Sequence, residues 1–331
     1  AATFDVFWQT YFEHYPFFAM KGVDWEAVRH EYRPQITTET TNEELFEIFQ
    51  KMIEPLQDAH TFLYAPSLDN GWFEGRRPNL NPLTNEDRAR SAEIIETEYL
   101  RSPLQPWLNE QVAFAVLDGA VGYLRISSFI GYTDDGDFQT DHEALEAVLD
   151  EIFKKGENLK GLVIDVRLND GGWDGHGLAI AGRLTESEYL AYTKQARNDP
   201  TDPDQWTVAQ PSLVRPSSRP GYLGPAVLLT GPDSISAAET FAMALMGREP
   251  EVIRIGENTQ GVFSDVPFRA LPNGWLFGVP NERYLTEEGQ SFDGVGIPPD
   301  IAVPVFPRSD LESGRDGALE KALELLMEAY P

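Results

Sequence analysis

The stretch Gly224–Gly247, GPAVLLTGPDSISAAETFAMALMG, passes from an apolar run through a Gly-Pro-Asp turn into a row of small and apolar residues. The run AVLLT is continuous rather than alternating, which is typical of a strand buried on both faces. The segment SAAETFAMALMG that follows is typical of a helix. A buried strand that leads directly into a helix is the repeating unit of an α/β layer fold.

The same order recurs on the N-terminal side of this stretch. DHEALEAVLDEIFKKG, 141–156, predicts a helix, LKGLVIDVRLN, 159–169, a buried strand, and GHGLAIAGRLTE, 175–186, another helix. Before them, VAFAVLDGAVGYLRISSF, 112–129, contains two β-rich runs joined by Asp118-Gly119, a strong hairpin signal. We therefore predict an α/β core over residues 112–310.

The chain outside this core divides into three further parts. Residues 1–66 predict a helical subdomain in which Thr41 and Glu44 have capping-box spacing and His60 ends the third helix. Residues 67–111, polar and rich in proline and glycine, predict a connector with a short helix near residues 86–100. Residues 194–220 read as a loop beside a substrate cleft, and residues 311–331 as an amphipathic helix.

Composition limits the classes of function. The formal net charge of −28 opposes binding to nucleic acid or to anionic lipid. No run approaches the roughly 18 apolar residues of a membrane helix, so membrane insertion is not predicted. The absence of cysteine excludes disulfides, thiolate metal sites and cysteine nucleophiles. We predict no cofactor and no metal.

Ser236 is the first candidate for chemistry. It follows a buried strand and a tight turn and begins a helix, where free backbone N–H groups could stabilise a developing oxyanion. The same serine with Glu239 also fits a capping box, so the helix alone does not make Ser236 a nucleophile. Ser234 is interpreted as a turn residue.

Two further motifs could complete a site. GLVIDVRLNDGG ends in Gly171 and Gly172, and paired glycines after a strand allow a backbone N–H to face a ligand, although a tight turn explains them equally well. His60, in LQDAHTFLY, is a candidate general base, because the ordinary pKa of histidine lies near neutrality. The other histidines of the chain compete with it for this role: His14, His30, His142 and His176.

Taken in order, these motifs resemble the tail-specific or C-terminal processing proteases, the S41-type serine peptidases whose core also occurs in tricorn protease. The resemblance rests on SISAAE at 234–239, DVRLNDGG at 165–172, GENTQG at 256–261 and GVGIPPDIAVP at 294–304. The helical opening, from VDWEAVRHEYR to LQDAHTFL, is similar to the tricorn-like, histidine-using branch. This resemblance implies a crotonase-like layered α/β core and a peptide or protein substrate.

This sequence departs from the family pattern at two positions, and these departures determine which residues the resemblance implies as the base and its orienting acid. The processing-protease branch uses a lysine about 25 residues after its serine, but this chain has no lysine between Lys194 and Lys321. The base is therefore expected to be His60, as in the tricorn-like branch. That branch has a glutamate where this chain has Asp293, so an aspartate is expected to orient the base, with three rivals: Glu287, Glu288 and Asp58.

The mechanism implied is acyl transfer. Ser236 would attack a peptide carbonyl while His60 takes its proton, and the oxyanion would lie on the N–H groups of Ala237 and Gly171 or Gly172. The family often carries a PDZ domain, but residues 64–111 are too short and polar for one. A start without Met, AATFD, suits a periplasmic or secreted mature form; the oligomeric state is not readable.

Two alternatives remain from the sequence. A noncatalytic module that binds small apolar ligands could use the same fold, and retention of Ser236, His60 and the glycine pair favours the enzyme over it. A crotonase-type acyl-CoA enzyme would need basic residues for the CoA phosphates, and 26 Lys+Arg against 54 Asp+Glu argue against that reading.

Overall fold

The elements below come from a computed structural model that describes residues 1–79, 83–156, 158–202 and 204–329. The α-helices are α1 (Ala2–His14), α2 (Phe18–Lys21), α3 (Trp25–Tyr32), α4 (Asn42–Ile53), α5 (Asn85–Ile94), α6 (Phe138–Lys155), α7 (Asp174–Gly182), α8 (Ala237–Met246), α9 (Arg308–Ser313) and α10 (Gly317–Ala329). Short 3-10 segments lie at Arg33–Gln35, Glu54–Leu56 and Asp118–Ala120, and a π-helical turn, Ile95–Tyr99, extends α5.

The strands form three sheets. They are β1 (Asp58–Tyr64), β2 (Trp72–Gly75), β3 (Gln105–Trp107), β4 (Val112–Leu117), β5 (Val121–Ile126), β6 (Gly161–Asp165), β7 (Tyr189–Ala196), β8 (Gln210–Val214), β9 (Ala226–Thr230), β10 (Val252–Gly256), β11 (Phe268–Ala270), β12 (Leu276–Gly278), β13 (Glu282–Leu285) and β14 (Ile301–Ala302). Their orders are β14-β10-β9-β6-β5-β4-β3, β11-β12-β1-β2 and β13-β7-β8.

The seven-stranded sheet is the centre of the core. Strands β5, β6, β9, β10 and β14 are parallel, whereas β3 and β4 are antiparallel to their neighbours, so the sheet is mixed. One face packs on helices α6, α7 and α8, and the other on α5 and α10. Both faces are covered, which explains why β6 and β9 are buried at every residue and read as continuous apolar runs.

The predicted α/β layer core is confirmed as a mixed sheet with helices on both faces, and two local signals are confirmed as well. The hairpin at Asp118-Gly119 joins β4 to β5 in antiparallel register, through a 3-10 turn. Thr41 and Glu44 form the capping box of α4. The domain boundaries drawn from the sequence stay a prediction.

Two expectations are wrong. His60 does not end a helix, because α4 stops at Ile53 and His60 lies in β1. The apolar spacing of this segment fits both the 3.6-residue period of a helix and the two-residue period of a strand. It forms a strand because it pairs with β2 and β12. Residues 194–220 are not only loop, since they include the end of β7 and all of β8.

The N-terminal region has its own core, which includes part of the distant chain. Helices α1 and α4 pack against one face of the sheet formed by β11, β12, β1 and β2. The ring of Phe277 in β12 packs at a tilt against that of Phe7 in α1, with centroids 5.1 Å apart. This packing carries β1, and therefore His60, to its place beside the main core.

Candidate active site

Ser236 lies at the junction between β9 and α8 in a rare backbone conformation. Its φ of 58° and ψ of −116° are uncommon for a residue with a side chain. The Ile235 N–H donates to the Asn169 carbonyl at 3.0 Å, which fixes the turn against the neighbouring loop. Backbone strain of this kind persists where the surroundings enforce it, and it is concentrated at functional sites.

The two serines of the turn have different surroundings. The Ser234 hydroxyl is buried, donates to the Val166 carbonyl at 2.8 Å and accepts from the Gly231 N–H at 3.0 Å. It therefore serves the turn, as predicted. Ser236 is half-buried, and its side chain and that of Glu239 have capping-box geometry at the start of α8.

Glu239 anchors the first turn of α8. Its carboxyl group accepts from the Ser236 N–H at 3.2 Å, so this half of the capping box is formed. It also accepts from the Gly261 N–H at 2.6 Å, the Val262 N–H at 2.9 Å and the Thr259 hydroxyl at 2.5 Å. Burial raises the pKa of Glu239 to about 8, against the opposing effect of these donors. The segment 259–262 is thereby tied to the serine turn.

The glycine pair lies against Ser236. A Cβ built on Gly171 would be 2.8 Å from the Ser236 Cβ, so only glycine allows this approach. Gly171 and Gly172 have φ of 88° and 136°. The side chain of Asn169 holds the loop, accepting from the Gly171 N–H at 2.8 Å and donating to the Ile126 carbonyl at 2.9 Å.

The hydrogen bonds separate the three candidate oxyanion donors. The Gly171 N–H is already bound to Asn169. Within the ranges that the structure describes, the N–H groups of Gly172 and Ala237 have no hydrogen-bond acceptor. The geometry therefore favours Gly172 and Ala237 over Gly171 as free donors beside Ser236.

His60 is buried, with 9% of its surface exposed. Its backbone N–H donates to Asp58 Oδ1 at 2.9 Å, whereas its buried Nδ1 has no partner among the described residues. Burial lowers the pKa of His60, although Asp58 and other nearby carboxylates oppose this effect. The imidazole is therefore neutral at neutral pH, which is the state that a general base requires.

The four acidic candidates differ in their surroundings. Asp293 is buried, its Oδ2 accepts from the Ser291 hydroxyl at 2.7 Å, and burial raises its pKa to about 7, with the Asp58 charge adding to the rise. Asp58 binds the His60 backbone and also accepts from the Tyr15 hydroxyl at 3.1 Å. Glu287 and Glu288 are exposed in the turn after β13.

The structure brings some predicted residues together and not others. Gly171 and Ser236 are in contact, and Asp293 lies close enough to Asp58 for the two charges to interact. No hydrogen bond joins Ser236 to His60, or Asp293 to His60, in the described part of the chain. The carboxylate of Asp174 lies near both the Ser236 turn and His60. It accepts a hydrogen bond at 2.8 Å from Thr240, one turn after Ser236, and its negative charge raises the pKa of His60 against the effect of burial.

An ion-pair cluster around Lys194 was not predicted from the sequence. The Lys194 ammonium is 2.8 Å from Asp174 and 3.1 Å from Asp265. Burial alone would lower the pKa of Lys194, but these two carboxylates raise it above its ordinary value. A lysine held in the charged form cannot act as a base. Asp174, two residues after the glycine pair, could have been suspected from its position; Lys194 and Asp265 carry no signal.

The described ranges contain neither a candidate metal site nor a helix that could cross a membrane. In the ranges described, no three His, Asp or Glu side chains form a group that could hold a metal ion. The helices of those ranges are all too short or too polar to span a bilayer.

A strained serine at the start of a helix, flanked by unpaired N–H groups, is typical of hydrolases that act through a serine nucleophile. Residues 120–303 match peptidase family S41, and residues 1–54 match the tricorn protease C1 domain. The first match covers more than half of the chain, so the chain belongs to peptidase family S41. The family predicted from the sequence motifs is confirmed.

Individual relatives agree with this assignment. A carboxy-terminal-processing protease of Bartonella bacilliformis is 28% identical over 193 residues, which are 56% of this chain and 39% of that protein. The chain therefore spans well under half the length of this curated relative.

Solved structures resemble the whole fold. A presumed peptidase from Parabacteroides merdae has a TM-score of 0.79 and 27% identity, and the alignment covers 98% of this chain and 96% of the other. Mature CPAF has a TM-score of 0.70 at 12% identity, with 98% and 96% covered. The latter likeness concerns the fold alone.

Proposed function

We propose that this protein is a serine peptidase that hydrolyses peptide bonds through an acyl-enzyme, with Ser236 as nucleophile and His60 as general base. The observation that carries the proposal is the position of Ser236. It combines a strained backbone with two neighbouring N–H groups, of Gly172 and Ala237, that have no acceptor among the residues that the structure describes.

The reaction follows from these parts. Ser236 Oγ attacks the peptide carbonyl and its proton passes to His60, while the carbonyl oxygen, now negative, accepts from the Gly172 and Ala237 N–H groups. His60 then gives the proton to the leaving amine, and the C–N bond breaks. Water, deprotonated by His60, attacks the ester, and the acid product and free Ser236 are released.

An acidic residue completes the set. The unpartnered Nδ1 of His60 is the atom that an orienting carboxylate would bind, and Asp293 is the proposed residue. Asp58 is its first rival because it contacts the backbone of His60. We also propose that the core is crotonase-like and that the protein works in the periplasm or outside the cell.

Labelling with a fluorophosphonate tests the nucleophile. Wild-type protein should be labelled, Ser236→Ala should not, and Ser309→Ala, which removes an exposed serine of helix α9, should be labelled like the wild type. Equal labelling of the wild type and Ser236→Ala would refute the assignment. Absence of labelling in folded wild type between about pH 6 and pH 9 would favour the alternative, a noncatalytic ligand-binding module.

A further inference from the structure

The four-stranded sheet that carries His60 has one face in the N-terminal core and the other in solvent. Residues directly opposite each other in an antiparallel sheet share a face. Leu63, paired with Phe277 and Phe73, faces the core. Tyr64, paired with Leu276 and Trp72, faces the opposite way.

The solvent face is largely aromatic. Phe62 pairs with Glu74 of β2, and Phe268 of the edge strand β11 pairs with Gly278. The Phe62 ring stacks on Trp72 with centroids 5.1 Å apart and meets Phe268 edge-on at 5.2 Å. A Cβ on Gly278 would be 2.3 Å from the Phe62 ring, so the ring can lie here because residue 278 has no side chain.

These side chains are exposed although they are apolar. The exposed fractions are 56% for Trp72, 68% for Phe268, 41% for Tyr64 and 39% for Leu276. Four of the thirteen exposed large hydrophobic side chains in the described ranges therefore share this one face. We call Phe62, Tyr64, Trp72, Phe268 and Leu276 the aromatic patch. Contiguous apolar patches of this kind mark binding surfaces.

The aromatic patch is continuous with the proposed active site. His60 lies two residues before Phe62 on β1. Glu74, opposite Phe62, is near enough to act on the pKa of His60. Glu74 is itself paired with Arg76 at 2.6 Å, so its charge is balanced by a cation.

From this placement we propose that the aromatic patch binds the substrate beside the scissile bond, and that it takes extended segments with aromatic or large aliphatic side chains. The proposal rests on the peptidase function proposed above. A second folded copy of this chain would be a poorer occupant, because it would cover the approach to His60. An extended peptide fits this placement better, because the patch begins two residues after His60 on the same strand.

Peptide binding by anisotropy tests the proposal without requiring turnover. The probes are two fluorescein-labelled ten-residue peptides of equal net charge, one with Phe or Leu at alternate positions and the other with Ser there. With Ser236→Ala protein, the apolar peptide should bind at least about 10-fold more tightly than the polar one. The double variant Trp72→Ser/Phe268→Ser, made in the Ser236→Ala background, should lose this difference, whereas Val208→Ser, which removes an 81%-exposed side chain outside the patch, should keep it.

The outcomes separate the two proposals. An unchanged preference in the double variant, with its fold verified by circular dichroism, would overturn the aromatic patch as the binding surface. Fluorophosphonate labelling of the double variant with Ser236 present would at the same time show whether the nucleophile is intact. If sedimentation shows a dimer that the double variant dissociates while peptide preference stays, the patch is a dimer interface and the proposal fails.

Discussion

At the scale of single residues, the glycine pair and Ser236 depend on one another. The backbone at Gly172, with φ of 136°, approaches Phe129 so closely that an added Cβ would be 2.4 Å from the Phe129 carbonyl carbon. Such a clash with backbone cannot be relieved by a side-chain movement. The loop must shift, and the Gly172 N–H must shift with it.

Replacement of Gly172 by Ala should therefore lower kcat by about 100-fold or more, which is the usual effect of losing one oxyanion donor. Steady-state kinetics on a peptide substrate measures this. Gly131→Ala is the matched control, because Gly131 also has a positive φ, 77°, but nothing lies within 4 Å of its added Cβ. It should lose some stability and keep kcat; an equal loss of kcat in both variants would argue against the donor role.

Asp293 gives a pH dependence whose sign can be worked out. Burial raises its pKa from 3.8 to about 7, so between these values the folded protein holds a proton that the unfolded chain has released. This contribution to stability is full below about pH 4, falls as the pH rises, and is lost above about pH 7.

Asp293→Asn should remove this slope. Between pH 5 and pH 8, wild-type protein should lose about 2–3 kcal/mol more unfolding free energy than Asp293→Asn. Urea unfolding at both pH values measures the difference, with the exposed Asp135→Asn as control. A parallel pH dependence of wild type and Asp293→Asn would contradict the raised pKa.

At the scale of elements, helix α8 is held by a buried carboxyl group and α4 by an exposed capping box. Glu239 satisfies three backbone N–H groups and one hydroxyl, of which two N–H groups belong to the distant segment 259–262. Glu44 accepts from the Thr41 N–H at the start of its own helix, and its carboxylate has no other donor among the described residues. The first contact thus joins two segments of the core, whereas the second is local.

Glu239→Ala should lower the unfolding free energy by about 3 kcal/mol or more, because several buried donors lose their acceptor at once. Glu44→Ala should cost clearly less. Urea denaturation of both variants makes the comparison, and labelling of Ser236 in Glu239→Ala shows whether the serine turn is disturbed too. Equal unfolding free energies of the two variants would mean that the contact between Glu239 and segment 259–262 does not stabilise the fold.

At the scale of the whole molecule, a buried ion-pair network joins the C-terminal helix to the central sheet. The guanidinium of Arg167, just after β6, lies 2.6 Å from Asp165 and 2.8 Å from Asp316, which precedes α10. All three side chains are nearly inaccessible to solvent. The Arg101–Asp118 pair, by contrast, is exposed on both sides.

Asp316→Ala should destabilise the protein by about 3–5 kcal/mol, since it leaves part of a buried charge without its partner. Asp118→Ala should change stability little, because solvent screens an exposed pair. Thermal and urea unfolding of both variants test this. A small effect of Asp316→Ala would mean that α10 docks by apolar contacts alone.

The net charge of −28 acts on the whole surface. We expect kcat/KM for a basic peptide to fall several-fold as salt rises from about 50 mM to about 500 mM, because screening removes the attraction. An acidic peptide should show the opposite trend and an uncharged one little change. Identical salt profiles for the three peptides would show that the field does not reach the site.

Sequence patterns were sufficient where the signal is local. The continuous apolar runs of β6 and β9 and the turn at Asp118-Gly119 predicted their elements correctly. Motif order predicted the family, and the absence of a lysine between Lys194 and Lys321 directed attention to His60. These features depend on neighbouring residues or on residue type alone.

The remaining features depend on contacts between distant parts of the chain. His60 became a strand residue because β2 and β12 pair with its segment, and the Gly171 N–H was taken by the side chain of Asn169. The Lys194 cluster and the aromatic patch bring together residues far apart in the chain, such as Trp72 and Phe268. Long-range pairing, desolvation and the competition of acceptors for each N–H arise only when the chain is folded, so no local pattern encodes them.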